Sequence, residues 1–168
     1  TWTNVTTGSL LGSGATLQLN PGSASPNDVI SCAVDVQDSD STVSSSALVT
    51  VDNTAPVVTA TAITGIPELG EALSCSAQSS DSDGDSLTES ISWSVGGQSI
   101  GSGASLTLSP AQLSPNDNLT CTVTVSDPYG ASASDSASIS IINQAPVIDS
   151  LSLSPAAINN QGTIECAA

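Results

Sequence analysis

The chain has no lysine, arginine or histidine, although its 168 residues include 16 aspartates and glutamates and its formal net charge is −16. Without a cationic side chain it cannot neutralise phosphates, which excludes nucleic acid as a partner. Surface salt bridges between side chains are excluded for the same reason. Repulsion among the carboxylates must therefore be screened by salt or by bound cations.

Large aromatic and flexible apolar side chains are also scarce, because the chain has no Phe or Met, one Tyr and two Trp. A hydrophobic content of 38% still allows compact cores, which must be built from Val, Ile, Leu and Ala. No apolar run approaches the roughly 18 residues that a membrane span requires. No basic segment precedes an apolar run, so we expect any secretion signal to have been removed or to lie outside this chain.

An internal repeat of about 90 residues organises the sequence. The stretch GSGATLQLNPGSASPNDVISCAVDV, which begins at residue 12, aligns without a gap with GSGASLTLSPAQLSPNDNLTCTVTV, which begins at residue 101. Trp2 then corresponds to Trp93. The repeat predicts one complete unit, residues 57–146, between two part units, residues 1–56 and 147–168.

Apolar residues of the complete unit alternate with Ser and Thr, as at Leu119, Cys121, Val123 and Val125. This period of two predicts short strands with one buried face. Clusters of Gly, Pro, Asn, Asp and Ser separate the strands and predict turns. We therefore expect an all-β fold, an antiparallel sandwich.

The segments SCSA, DSDGDSLTESISW and LTCTVTVSD, with the linkers DNTAP and NQAP, resemble bacterial immunoglobulin-like and cadherin-like repeats of large surface proteins. The resemblance covers essentially the whole chain and implies tandem immunoglobulin-like sandwiches. In that fold a cysteine of strand B and one of strand F join the two sheets, and a strand C tryptophan packs on the bridge. The resemblance thus implies a disulfide between Cys75 and Cys121 beside Trp93.

The two part units correspond to complementary pieces of one such sandwich. Residues 1–56 match strands C, E, F and G, whereas residues 147–168 match strands A and B. Two explanations stay open. The chain is a window from a longer covalent array, or separate molecules associate head to tail and each gives strands A and B to the open half-sandwich of the next. Both predict that Cys166 pairs with Cys32 of a neighbouring unit.

Four cysteines without a metal-type C-x-x-C pair favour disulfides in an oxidising compartment, so we expect an extracellular or cell-surface location. Catalysis is not expected, because the Ser hydroxyls lack a His or Lys base. The predicted function is a structural subunit or segment of an extracellular filament or adhesin stalk. The alternative is a non-catalytic binding or spacer module of a larger secreted protein, for which an exposed aromatic patch around Tyr129 would be needed.

One motif has ligand chemistry, the sequence DSDGDS at residues 81–86. Alternate carboxylates around a glycine resemble the start of a calcium loop, although no bidentate Glu follows at the usual distance. In an immunoglobulin-like sandwich the B to C loop, the F to G loop and the entry to strand A share one end. Calcium between domains and a solvated acidic turn both remain open interpretations. The candidate ligands are Asp81, Asp83, Asp85, Asp127, Asp52 and Asn53.

Two sequons, at Asn4 and Asn118, make glycans a further candidate partner. Such triplets also arise by chance in a chain this rich in Thr. The second sequon falls inside the predicted strand F, where a glycan is not expected.

Overall fold

The computed structural model describes residues 1–157 and 159–167, and these residues form thirteen strands and no helix. The predicted all-β fold is therefore confirmed. The strands form four antiparallel sheets. No helix in the described ranges is long and apolar enough to cross a membrane.

The complete unit is a sandwich of two sheets. One sheet has the order β5-β6-β9 and the other β11-β10-β7-β8. The alternating Ser and Thr side chains of these strands point outward, while the aliphatic side chains between them fill the space between the sheets. The strands are β5 Val57–Thr64, β6 Ala72–Ser80, β7 Thr88–Val95, β8 Gln98–Ser102, β9 Ser105–Thr107, β10 Asn118–Ser126 and β11 Ser132–Ser140.

A disulfide joins the two sheets of this unit, from Cys75 on β6 to Cys121 on β10, with the Cα atoms 6.5 Å apart. Trp93 lies directly opposite Cys121 in the pairing of β7 with β10 and is fully buried. Its indole Nε1 donates a hydrogen bond of 2.8 Å to the carbonyl oxygen of Gly103. The bridge and its tryptophan thus occupy the centre of an otherwise aliphatic core.

The first part unit is a single four-stranded sheet with the order β2-β1-β3-β4. It reproduces the four-stranded sheet of the complete unit. Trp2 lies opposite Cys32, and its Nε1 donates to the carbonyl oxygen of Gly14 at 3.0 Å. The strands are β1 Trp2–Asn4, β2 Ser9–Gly12, β3 Val29–Gln37 and β4 Thr42–Thr50.

The strand E that the repeat predicts for the first part unit is not formed within the single chain. The equivalent residues 15–19 lie outside any strand. In the complete unit strand E is β9, and it forms by pairing with β6. Among the described residues no strand equivalent to β6 pairs with residues 15–19. Their alternating sequence therefore does not form a strand.

The last two strands, β12 Ser152–Ser154 and β13 Glu165–Ala167, form an isolated hairpin. Leu153 lies opposite Cys166 in this hairpin. In the complete unit Ile63 of β5 lies opposite Cys75 of β6. The hairpin therefore has the register of strands A and B, although nothing described covers its apolar residues.

Removing the disulfide with the double variant Cys75→Ala, Cys121→Ala is expected to lower the free energy of unfolding by about 4 kcal/mol, because the bridge joins residues 46 positions apart. Urea denaturation measures this loss. The single variant Cys32→Ser is the control, because Cys32 is a free cysteine, and its effect should stay within about 0.5 kcal/mol. A double variant that loses less than about 1 kcal/mol would contradict the expected role of the bridge.

Candidate functional site

Three segments meet at one end of the complete unit, as the sandwich topology predicts. The loop of residues 81–86 follows β6, the turn at Asp127 follows β10, and the linker at Asn53 precedes β5. Hydrogen bonds connect these segments directly. The loop is joined to the linker through Asp83, and the turn is joined to the linker through Asn53.

The carboxylates of Asp81, Asp83 and Asp85 converge, because each offers an oxygen that lies within 4.8 Å of the others. Two backbone features fold the loop into this shape. The amide of Asp83 donates to Oδ1 of Asp81 at 2.7 Å, and Gly84 adopts a φ of 77° that favours glycine. All three side chains are half-buried.

Gly84 also brings the loop against the first part unit. A Cβ atom added at Gly84 would lie only 3.0 Å from Cβ of Pro21. The loop therefore packs on the residues that follow the unformed strand E. The acidic cluster consequently lies at a junction between two units.

The linker contacts the cluster through Thr54, a residue that the sequence motifs did not identify. Its amide donates to Oδ2 of Asp83 at 2.6 Å, and its hydroxyl lies 3.3 Å from Oδ1 of the same carboxylate. The one sequence feature that could have identified Thr54 is its position next to the predicted ligand Asn53. Asp52, in contrast, is exposed, and no hydrogen bond of its side chain is found within the described residues.

Asp127 is the most buried of the predicted ligands, with 8% of its surface exposed. Its Oδ1 accepts hydrogen bonds of 2.9 Å from the amides of Tyr129 and Ala131, and its Oδ2 accepts one of 2.8 Å from Nδ2 of Asn53. The bond from Asn53, helped by the backbone amides, holds the pKa of Asp127 below its usual value against the opposing effect of burial.

Three oxygens at this end of the unit are buried and have no hydrogen-bond partner within the described residues: Oδ2 of Asp81, Oδ2 of Asp85 and Oδ1 of Asn53. Burial raises the pKa of Asp85, and the negative charges of Asp81, Asp83 and Asp127 raise it further. Burying an oxygen without a hydrogen-bond donor costs free energy. Such oxygens are suitable ligands for a hard cation.

The remaining predicted site residues lie apart. Cys32 is half-buried on the inner face of the first sheet, in a shallow pocket that Val34, Ser45 and Ala47 also line, and Cys166 is exposed on β13. Both thiols are free in the single chain. The structure thus brings Cys75 and Cys121 together within one unit but leaves Cys32 and Cys166 separate.

The two sequons differ in access. Asn4 is buried and donates its Nδ2 to Oδ2 of Asp28 at 2.7 Å, so a glycan there would have to displace this contact. Asn118 is exposed at the start of β10. The aromatic side chains form no common surface, since Trp93 is buried in the core and Trp2 is half-buried, while Tyr129 is exposed in the turn after β10.

The family model for the bacterial Ig domain matches residues 53–141. The matched residues contain every strand of the complete unit and its disulfide. No curated protein and no solved structure was found to match the chain. Bacterial Ig domains are typically non-catalytic binding or structural modules of surface proteins. The chain belongs to the bacterial Ig domain family.

Proposed function

We propose that the chain is a structural segment of an extracellular filament or surface stalk, in which neighbouring immunoglobulin-like units complete each other's sandwich. The observation that carries the proposal is the exposed inner face of the sheet β2-β1-β3-β4. This face is defined by the side chains that alternate with solvent-facing Ser, Thr and Asp on β3 and β4. They are Cys32, Val34, Val36, Val43, Ala47 and Val49, with the polar Ser45 among them, whereas Ile30 on the same face is only 2% exposed.

Comparison with the complete unit supports the idea that this face is built to be covered. Val123 and Val125 have no exposed surface, whereas their equivalents in the first sheet, Val34 and Val36, are 56% and 67% exposed. A sheet that exposes a continuous apolar face to water is unfavourable. It also marks a site of association.

The hairpin β12–β13 has the strand register and the apolar side chains that are needed to cover this face. Its register is that of β5 and β6, the strands that cover the four-stranded sheet of the complete unit together with β9. Leu151, Leu153 and Ile164 are all more than half exposed. The hairpin and the open face therefore have matching apolar surfaces. The partner in this proposal is a second copy of the chain.

Charge sets the conditions for such assembly. Every copy carries a formal charge of −16, so copies repel each other at low ionic strength. At about 0.15 M salt the screening length is about 8 Å, and short-range apolar contacts then dominate. Electron microscopy under these conditions tests the proposal most directly. Linear filaments support it, and dispersed single particles contradict it.

The inner face is tested by Val43→Asp, with Leu48→Asp as the matched control. Both residues lie on β4 with similar exposure, 69% and 66%, but they point to opposite faces of the sheet. Val43→Asp is expected to weaken self-association at least about tenfold, because docking would half-bury an unpaired carboxylate, as the equivalent Ala133 is half-buried in the complete unit. Analytical ultracentrifugation measures the association.

The control Leu48→Asp adds the same charge on the solvent side of the sheet, so it is expected to associate like the parent chain. If both variants associate equally well, the inner face is not the contact surface. If both lose association equally, added charge and not the face is responsible. Either result contradicts the proposed mode of assembly.

We also propose that a disulfide between Cys32 and Cys166 of a neighbouring copy locks the contact. Cys32 corresponds to Cys121 in the repeat, and Cys166 corresponds to Cys75, so docking places them as the bridged pair of the complete unit is placed. The two thiols give two protons and two electrons to a disulfide oxidant, which is reduced to two thiols.

This bridge predicts a ladder of covalent oligomers on a denaturing gel without reductant, after incubation with a disulfide oxidant such as oxidised glutathione. Cys32→Ser and Cys166→Ser are each expected to abolish the ladder, because each bond needs one cysteine of each kind. A ladder that persists in either single variant contradicts the pairing. Reductant applied to the parent chain is the control for a disulfide link.

Besides screening the negative charge of the chain, cations have a second possible role at the acidic cluster. We propose that calcium binds between Asp81, Asp83 and Asp85 with help from Asn53, and that it stiffens the junction between units. The support is the set of buried oxygens without hydrogen-bond partners, together with the contact between Gly84 and Pro21 across the junction. Calcium prefers six to eight oxygen ligands, so water completes the coordination.

Calcium is expected to raise the melting temperature of the parent chain by at least about 4 °C, which corresponds to about 1 kcal/mol in a domain of this size. A chelator should reverse the rise. Asp85→Asn is expected to remove the response to calcium and, in chelator, to raise the melting temperature slightly, because it relieves repulsion among carboxylates.

Glu71→Gln is the matched control, since it removes one carboxylate at the opposite end of β6 from Asp81. It is expected to keep the full response to calcium. A parent chain whose melting temperature is the same in calcium and in chelator contradicts the site. A loss of the response in Glu71→Gln would show a general charge effect instead.

A further inference from the structure

Residues 15–19 have the alternating pattern of a strand but lie outside any strand. Leu17 and Leu19 alternate with Thr16 and Gln18, yet no backbone-to-backbone hydrogen bond of residues 15–19 is found in the part of the chain that the structure describes. Both leucines are half-buried. The segment therefore has apolar residues at strand spacing, and among the described residues its only backbone group with a hydrogen-bond partner is the carbonyl oxygen of Leu19, which accepts from Nε2 of Gln18 at 3.1 Å.

The equivalent segment of the complete unit is fully paired. There β9 runs antiparallel to β6, with Leu106 opposite Leu73. The pairing continues beyond the strand, because the amide of Cys75 donates to the carbonyl oxygen of Ala104 and the amide of Leu108 donates to that of Glu71, both at 2.8 Å. By the repeat, Leu106 corresponds to Leu17 and Leu108 corresponds to Leu19.

The unpaired segment is already close to the position that pairing requires. Cδ1 of Leu17 lies 4.0 Å from the point where a Cβ of Gly12 would be, whereas in the complete unit Cδ1 of Leu106 lies 2.7 Å from the corresponding point at Gly101, so Leu17 is on the same side but less closely packed. Trp2 donates its indole hydrogen bond to Gly14, just before the segment, as Trp93 does to Gly103. The chain thus enters the segment along the same path in both units.

We propose that residues 16–18 become a strand when the hairpin β12–β13 of a second copy docks, with Leu17 pairing to Ile164 of that copy in an antiparallel ladder. This inference rests on the proposed function, because it needs the hairpin on the open face. The register follows from the repeat, in which Ile164 corresponds to Leu73. Docking therefore adds backbone hydrogen bonds to the apolar contact between the sheets.

The ladder has two sides with different hydrogen-bonding roles. In the complete unit the strand equivalent to residues 16–18 is at the edge of its sheet, which has the order β5-β6-β9. The amides of Leu17 and Leu19 would face the docked hairpin, whereas the amides of Thr16 and Gln18 would face solvent. An edge strand tolerates proline where its amide faces solvent.

This difference defines a matched pair of variants, Leu17→Pro and Gln18→Pro. Both residues lie in the unpaired segment, so neither substitution breaks a backbone-to-backbone hydrogen bond of the single chain, although Gln18→Pro removes the bond from its Nε2 to the carbonyl oxygen of Leu19. Leu17→Pro removes a donor of the ladder and is expected to weaken self-association about tenfold or more. Gln18→Pro is expected to stay within about threefold of the parent chain. Analytical ultracentrifugation at one salt concentration compares them.

Assembly that proceeds equally well with either proline overturns the ladder and leaves the proposed filament intact. If both prolines weaken assembly equally, the segment matters but the proposed register is wrong. A parent chain that stays monomeric overturns the filament and this inference together. An unchanged melting temperature of the complete unit in both variants verifies folding.

Hydrogen exchange gives an independent reading of the same ladder. In assembled material the amides of Leu17 and Leu19 are expected to gain protection, while those of Thr16 and Gln18 continue to exchange quickly. Equal exchange of all four amides in assembled and dispersed material would overturn the proposal.

Discussion

The structure depends on one constraint, that an antiparallel sheet with one apolar face needs a second sheet against that face. In the complete unit this requirement is met by aliphatic side chains from both sheets, around Trp93 and the disulfide. The first sheet has the same strand order, the same tryptophan contact and an equivalent cysteine, yet most of its inner face apart from Ile30 remains exposed. Local rules are therefore sufficient to build the sheet, whereas the core requires residues from another part of the chain or from another copy.

The absence of cations places a second constraint on the structure, because each carboxylate must find its stabilisation elsewhere. Most of those with shifted pKa values find it in N–H groups. The amide of Ser25 and the side chain of Asn4 lower the pKa of Asp28, and Asn53 with three backbone amides lowers that of Asp127. Within the described residues no N–H group donates to Asp85, and burial and the nearby carboxylates raise its pKa. In the candidate cation site, N–H groups donate to Asp81 and Asp83, so Asp85 is the member left without one among the described residues.

Sequence reasoning predicted the fold well because the relevant signals are local. Alternation at Leu119, Cys121 and Val123 identifies β10 without any knowledge of its neighbours. Residues 16–18 carry the same alternation but lie outside any strand in the single chain. A strand there needs a pairing segment that is distant in sequence, which alternation alone does not reveal.

The candidate site shows the same division between local and distant information. Asp81, Asp83 and Asp85 were found from their spacing alone, and the general topology of the sandwich brought Asp127 and Asn53 to the same end. Spacing did not separate Asn53 from its neighbour Asp52, which is exposed. The direction of a side chain in a linker depends on backbone geometry that composition does not reveal.

In the proposed assembly the two pieces of the sandwich are largely preformed, and this determines the free-energy cost of docking. The first sheet and the hairpin each have the register of the complete unit before they meet, so docking orders few additional residues of either piece. Residues 16–18 are the exception, since they lie outside any strand in the single chain and form one only in the proposed complex. Because the backbone of these residues becomes ordered only on docking, their new hydrogen bonds have to offset the loss of conformational entropy. The contact between copies is therefore expected to be strong through the rigid apolar faces and selective through the segment that orders last.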